Sequence, residues 1–252
     1  MPNRDSVQYA ELFRDGYHRD EAILYSACYL CGTSSSQLEE EHVIPRVLFR
    51  SINPGRYIKL KACSSCNRPK GEDDEYVVRL LQGTSFNEHA ERGIDNAFRG
   101  MRNGHGVGLY ADQMARSRPA ATVRVGNARQ SSSQIAVPME RINRFQTTIA
   151  KGLWTTLQNH IFNWDDYDFK ALYWQTGFEN GPLSEEMLTS LQNDARYSQS
   201  WDGVFKYSGD FTDNEVSYWV LTYYDVHVSV VVVKRNDIDW HIDLHDYIFG
   251  QD

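Results

Sequence analysis

The stretch Leu60-Lys61-Ala62-Cys63-Ser64-Ser65-Cys66-Asn67-Arg68-Pro69-Lys70-Gly71 carries the second of two Cys-x-x-Cys pairs, and its reading governs the amino-terminal fold. The first pair is Cys28-Tyr29-Leu30-Cys31, and the chain has four cysteines in all, so none is left over. Two residues between thiolates let one turn aim both sulfurs at a single ion, and two such pairs complete the tetrahedral shell that zinc prefers. Turn residues are in place, Gly32 after Cys31 and Ser64-Ser65 inside the second pair. Two redox motifs or four buried thiols are the alternatives, and neither explains two pairs without a fifth cysteine. Cys28, Cys31, Cys63 and Cys66 are therefore expected to hold a structural Zn²⁺. Its ligands come from distant segments, so binding would close the intervening loop and contribute to folding.

Between the pairs lies Leu38-Glu39-Glu40-Glu41-His42-Val43-Ile44-Pro45-Arg46. Cys28-x-x-Cys31, Glu41-His42-x-x-Pro45 and Cys63-x-x-Cys66-Asn67-x-x-Lys70 follow one another in an order that resembles the zinc-stapled branch of the HNH, or ββα-metal, endonucleases. The resemblance covers about residues 25–75. It implies a ββα-metal core in which His42 at the end of the first strand is the general base. Glu41 and Asn67 would hold a catalytic Mg²⁺ or Mn²⁺. The chemistry suits those residue types: an imidazole titrates near neutrality, and two oxygen donors with phosphate and waters fit a hard cation better than zinc. Glu39 and Glu40 are solvated neighbours, or ligands if the register shifts by one. The family's middle Asn has no counterpart in Arg56-Tyr57-Ile58-Lys59-Leu60-Lys61; Asn53, in an Asn-Pro-Gly turn, is the nearest substitute.

Charge separates the chain into unlike parts. The net is -8, yet residues 1–151 hold 21 Lys and Arg against 17 Asp and Glu, a net +4, while residues 152–252 hold 5 against 17, a net -12. Such asymmetry suggests nucleic-acid contact in the first part and another task in the second. Arg46, Lys59, Lys61, Arg68 and Lys70 flank the motif, with Arg50 and Arg56, and are expected to neutralise phosphates, which positions a backbone without encoding sequence. The partner that the resemblance implies is DNA, with RNA left open. Between Arg99 and Arg129 six arginines face a single acid, Asp112, so that segment could also lie along nucleic acid.

Three regions are expected: a nuclease domain at 1–102, a basic connector at 103–136 rich in Gly, Ser, Ala and Arg, and an acidic α+β domain at 137–252. Helical turns within 5–27 pack on the core. The acids of Gly71-Glu72-Asp73-Asp74-Glu75 suit a helix start, and Ser85-Phe86-Asn87-Glu88 resembles a capping box before a helix reaching Arg102. Ile142, Phe145, Ile149, Leu153 and Leu157 recur at helical spacing over 138–160, with Pro138 near the start. Strands are expected at 168–175, 203–208, 216–224 and 226–233, the last two a hairpin through Tyr224-Asp225 with one wetter face, and a helix at 183–195 begun by Ser184. The fold class is α+β, with an antiparallel sheet in the carboxy-terminal part.

That second part names no chemistry of its own. His241 and His245, with Asp243 and Asp246, would share a helical face, but a third ligand is missing, so a solvated terminus is the plainer explanation. Trp201, Phe205, Tyr207, Phe211, Tyr218, Trp219, Tyr223 and Tyr224 read as packing, since their surroundings are acidic. An acidic domain beside a nuclease suits a protein partner, a homodimer, or restraint of cleavage until release. The layout resembles uncharacterised bacterial HNH proteins, some in phage-defence operons. No apolar run approaches the roughly 20 residues of a membrane span, and Met1-Pro-Asn-Arg-Asp-Ser lacks a secretory core, so a soluble cytoplasmic protein without membrane contact is expected. The rival function is a zinc-ribbon nucleic-acid-binding module without effective catalysis, suggested by the missing middle Asn.

Overall fold

The computed structural model describes residues 26–34, 37–55, 57–85, 87–102, 117–125, 128–135, 138–176, 182–212 and 215–238. The fold is α+β: four α-helices, two two-stranded ribbons and one five-stranded antiparallel sheet lie among these residues. No helix among them is long and apolar enough to cross a membrane. The helical turns expected before residue 26, Arg56, and the His241/His245 set lie outside the described residues.

Strands β1 (Leu38–His42) and β2 (Lys59–Cys63) pair antiparallel, with Leu38 opposite Cys63 and His42 opposite Lys59. Side chains alternate across a strand, so Leu60 and Ala62, both buried, share the inner face with their partners Glu41 and Glu39. Glu40 and His42 take the other face with Lys61 and Lys59. A 3-10 turn, Arg46–Phe49, buries Val47, Leu48 and Phe49 beneath the ribbon's connection.

Helix α1 spans Ser64–Gly83, beginning at the second cysteine pair rather than at Gly71 as the acids suggested. The Cys63–Cys66 turn is itself the first helical turn. Pro69 falls in the second, where its absent N–H costs one bond without stopping the helix. The acids are thus mid-helix and find cations instead of the dipole: Asp73 receives Arg141 and Arg144, Asp74 receives Lys70, and Glu75 receives Arg50 and Arg79. Helix α2 (Glu88–Arg102) is capped by Asn87, whose Oδ1 accepts from the Ala90 amide at 2.9 Å. Ser85 does not cap it; its hydroxyl donates to the Leu81 carbonyl and closes α1.

Part of the expected loose connector is ordered as a ribbon. Strands β3 (Ser117–Val125) and β4 (Ala128–Ile135) pair antiparallel, with a register irregularity between Pro119 and Thr122. The β-branched run Thr122-Val123 and a Pro confined to the irregular stretch account for a strand where composition alone suggested a linker.

Helix α3 (Met139–Gln158) buries Ile142, Phe145, Ile149 and Leu153, as the spacing predicts, and stops at Asn159 in the left-handed conformation, φ 53°. Then come β5 (Tyr167–Gln175), α4 (Glu185–Asp194), β6 (Tyr197–Trp201), β7 (Phe205–Thr212), β8 (Val216–Tyr223) and β9 (His227–Arg235), with sheet order β5-β9-β8-β7-β6. Ser184 caps α4 through the Met187 amide. Tyr224 and Asp225, φ 51° and 60°, turn β8 into β9. The central strands have no wet face. One side joins the main core through Trp219, Leu221, Val231 and Val233; the other packs Val220, Val228, Val230 and Val232 with Leu191 of α4.

The main core is continuous. It runs from Cys28 and Tyr29 through β2, α1 and α3 to Phe205, Trp219 and Tyr223 of the sheet, crossing the residue-137 boundary expected between domains. The aromatics on the far side of that boundary pack: Phe205, Tyr207, Trp219, Tyr223 and Tyr224 are buried.

Candidate metal centre and active site

The first cysteine pair is shaped by a tight turn in which the Gly32 amide donates to the Cys28 carbonyl at 2.8 Å, with Gly32 at φ +72°. The Tyr29 amide donates to the Lys61 carbonyl at 2.9 Å and fastens this turn to β2. Cys63 closes β2 and Cys66 lies in the first turn of α1. The four sulfurs lie within 4.8 Å of one another, and the Cys31 and Cys63 Sγ atoms are 3.8 Å apart. Sulfurs at the vertices of a tetrahedron around an ion about 2.3 Å away are separated by about 3.8 Å, so this set can hold one metal ion. Burial pushes the Cys28 and Cys66 thiols up, whereas the Ser65 hydroxyl bonded to Cys63 brings that thiol down to about 6. Four thiolates together need a cation, which is what the donor set fits.

Beside it, along the seam between β1 and α1, the expected active-site residues meet partners that sequence did not name. His42, at the end of β1, is half-buried with the Tyr57 ring edge-on at 4.8 Å. Burial holds its imidazole below the ordinary value; Glu41 opposes, and Lys59, Arg46 and Lys70 add to the lowering. The ring is therefore neutral and able to accept a proton near pH 7. Glu41 Oε1 accepts from Lys70 Nζ at 2.8 Å, and Lys70 also donates to Asp74 Oδ2 at 2.5 Å. Asn67 Nδ2 donates to Glu39 Oε2 at 3.0 Å. Glu41 and Asn67 thus each spend one atom on a different partner, Glu41 keeping its other carboxylate oxygen and Asn67 its carboxamide oxygen. Two such oxygens fit a hard cation that keeps most of its waters. No group of three or more His, Cys, Asp or Glu converges there among the described residues, the cysteine set being the one group of that kind.

Asn53 Oδ1 accepts from the Gly55 amide at 3.1 Å and so closes its own turn. Tyr57 occupies the neighbourhood of the imidazole instead. Of the expected phosphate contacts, Arg46, Lys59 and Arg68 are exposed and Lys61 is half-buried. Lys59 pairs with Glu40 at 3.4 Å and Arg68 with Glu72 at 3.7 Å, both in exposed positions where such pairs are weak and exchangeable. Lys70 does not belong with them. Its side chain is 3% exposed, held between Glu41 and Asp74, because burial of an ammonium demands paired carboxylates.

The sequence reading missed Asp74, whose carboxyl burial pushes up to about 6 against the opposing Lys70. Its i,i+4 spacing from Lys70 was the available signal. It also missed Lys151, which lies over the Trp164 and Phe169 rings at 5.2 and 4.7 Å and faces Cys66, Cys28 and Cys31 electrostatically. Nothing local marks that residue. Comparison with protein-family models, curated protein sequences and solved structures gives no match to this chain.

Proposed function

We propose that the chain is a metal-dependent endonuclease of the HNH, or ββα-metal, type, hydrolysing DNA phosphodiesters, with zinc in the Cys28/Cys31/Cys63/Cys66 site as a structural staple. The observation that carries this reading is the juxtaposition of β1 and α1 beside the sulfur cluster: Glu41-His42 ends the strand, and Asn67 opens the helix that the second cysteine pair starts. Mg²⁺ or Mn²⁺, held by Glu41 and Asn67, would polarise the phosphate and lower the charge on the leaving oxygen. His42, kept neutral, takes the proton from the attacking water. Exposed Arg46, Lys59 and Arg68, with Lys61, place the strand through its phosphates.

Plasmid cleavage with Mg²⁺ or Mn²⁺ tests the reading. The wild type is expected to convert supercoiled DNA, and His42→Ala to lose roughly 10²–10⁴-fold, the usual worth of a general base. Equal rates in both proteins, or cleavage by neither, overturn it. With the imidazole pKa below its ordinary value, the acid limb of kcat/KM lies below about pH 6.5; a limb centred above pH 7 assigns the base elsewhere.

Two observations favour a second reading. The Lys70 ammonium already neutralises Glu41, and Tyr57 stands near the imidazole where the family has Asn. A binding module that does not cut would retain DNA affinity after Mg²⁺ chelation and yield no product at any divalent ion.

A further inference from the structure

We infer that Glu39 is a positioning residue that turns the Asn67 carboxamide so that its oxygen faces the cation site. This rests on the metal-nuclease reading above. A carboxamide presents two N–H donors at one end and an acceptor at the other, and an ionised carboxylate only accepts. The bond from Asn67 Nδ2 to Glu39 Oε2, 3.0 Å, therefore fixes which end of the amide is which and leaves Oδ1 turned away from Glu39. Without that partner the two ends could exchange, and the nitrogen end cannot ligate a cation.

The placement follows from two periods. Glu39 and Glu41, two apart on β1, share the inner face of the ribbon; Asn67 and Lys70, three apart on α1, share one face of the helix. Strand and helix thus meet in two polar rungs, Glu39 with Asn67 and Glu41 with Lys70, the second backed by Asp74. In each rung one member is a proposed metal ligand and the other holds it by a single atom. Partners of this kind orient ligands in metal sites generally, and losing one costs roughly 10–100-fold in metal affinity. Glu39 is exposed, so its carboxylate adds nothing to the core, and its replacement leaves the fold intact.

Mn²⁺ binding to the full-length, zinc-loaded chain is the test, with free Mn²⁺ followed by electron paramagnetic resonance for wild type, Glu39→Ala and Glu39→Gln. Glu39→Ala is expected to bind Mn²⁺ roughly 10–100-fold more weakly. Its half-maximal Mn²⁺ for cleavage should rise in step while kcat at saturating Mn²⁺ holds. Glu39→Gln, whose carbonyl accepts the same bond, should restore the affinity. Zinc content and melting temperature should match in all three. Unchanged affinity in Glu39→Ala overturns the inference alone. Equal loss in Glu39→Gln and Glu39→Ala also overturns it, because the charge itself is then required and Glu39 is a ligand. Failure of the wild type to bind Mn²⁺ overturns the cation site, and the inference with it.

Discussion

His227 lies in the core with its ring stacked on Tyr173, and both nitrogens are committed. Nε2 faces the Leu81 carbonyl at 3.2 Å, and a carbonyl only accepts, so Nε2 carries the proton and the Tyr173 hydroxyl donates to Nδ1 at 2.9 Å. Burial brings the imidazole down to about 4. An unfolded chain, with an ordinary value near 6.5, binds more protons over that window, so stability falls as pH drops from 6.5 to about 4, by about 3 kcal/mol for this group. Asp74 runs the other way: its carboxyl is raised to about 6, so the folded state holds the proton better and gains stability as pH falls from about 6. In His227→Gln the acid loss should therefore vanish, leaving the opposite slope from Asp74; denaturant midpoints at pH 7, 5.5 and 4.5 read it, and parallel slopes in both proteins would refute the assignment. Sequence shows His227 only as an interruption in a valine run. Its partners come from α1 and β5, and no local pattern encodes them. The cysteines were legible because spacing alone dictates what two thiols within one turn can do.

At the scale of elements, helix α3 crosses the end of β1 at Gly152. A Cβ there would stand 2.4 Å from Val43 Cγ1 and 2.8 Å from Cγ2, and Val43 is fully buried. Ala in place of Gly in a helix interior normally stabilises by about 1 kcal/mol. Here overlap with a packed valine should reverse the sign, so Gly152→Ala is expected to destabilise by about 1–3 kcal/mol. Val43→Ala should relieve part of that cost in the double variant, since the two positions touch. A single Gly152→Ala variant with an unchanged or higher denaturant midpoint would mean that the crossing is looser than described. Because Val43 follows His42 directly, the same variant should also slow the cleavage proposed above. The apolar stripe of α3 was legible from its spacing, but periodicity tells which side of a helix faces inward, not where two elements approach most closely. Strand β6, Tyr-Ser-Gln-Ser-Trp, escaped notice for a related reason: it has no aliphatic residue, and its aromatics read equally well as loop or strand. The helix start read at Gly71 is misplaced because acids before an apolar run mimic a first turn, whereas one of them, Asp73, is held by Arg141 and Arg144 from a helix about 70 residues later.

Among the described residues the main core runs through both the basic part and the acidic part of the chain. The expected boundary near residue 137 rests on the composition of 103–136 and the helical spacing after it, and neither composition nor charge asymmetry says where a core divides. The cysteine set, which could hold a metal ion, lies at the joint. The Trp164 indole N–H donates to the Tyr29 carbonyl inside the first cysteine turn at 2.6 Å, and a Cβ on Gly32 would meet the Phe162 carbonyl at 3.5 Å. Lys151 lies over the Trp164 and Phe169 rings, its ammonium set against the cysteines. The cluster therefore fastens the amino-terminal ribbon to α3 and to the strand that follows it, not only one cysteine pair to the other. Metal removal by a strong chelator, or Cys66→Ser, should lower the melting temperature of the entire molecule within one cooperative transition. If the ion contributes about 4 kcal/mol, the shift for a chain of this length is roughly 10 °C. Calorimetry distinguishes the outcomes. A single endotherm that moves as a unit, with calorimetric and van't Hoff enthalpies in agreement, is the expected result. Two endotherms, the acidic half's unmoved by chelation, would show that the halves melt independently and that the joint through Trp164 and Lys151 carries little of the stability.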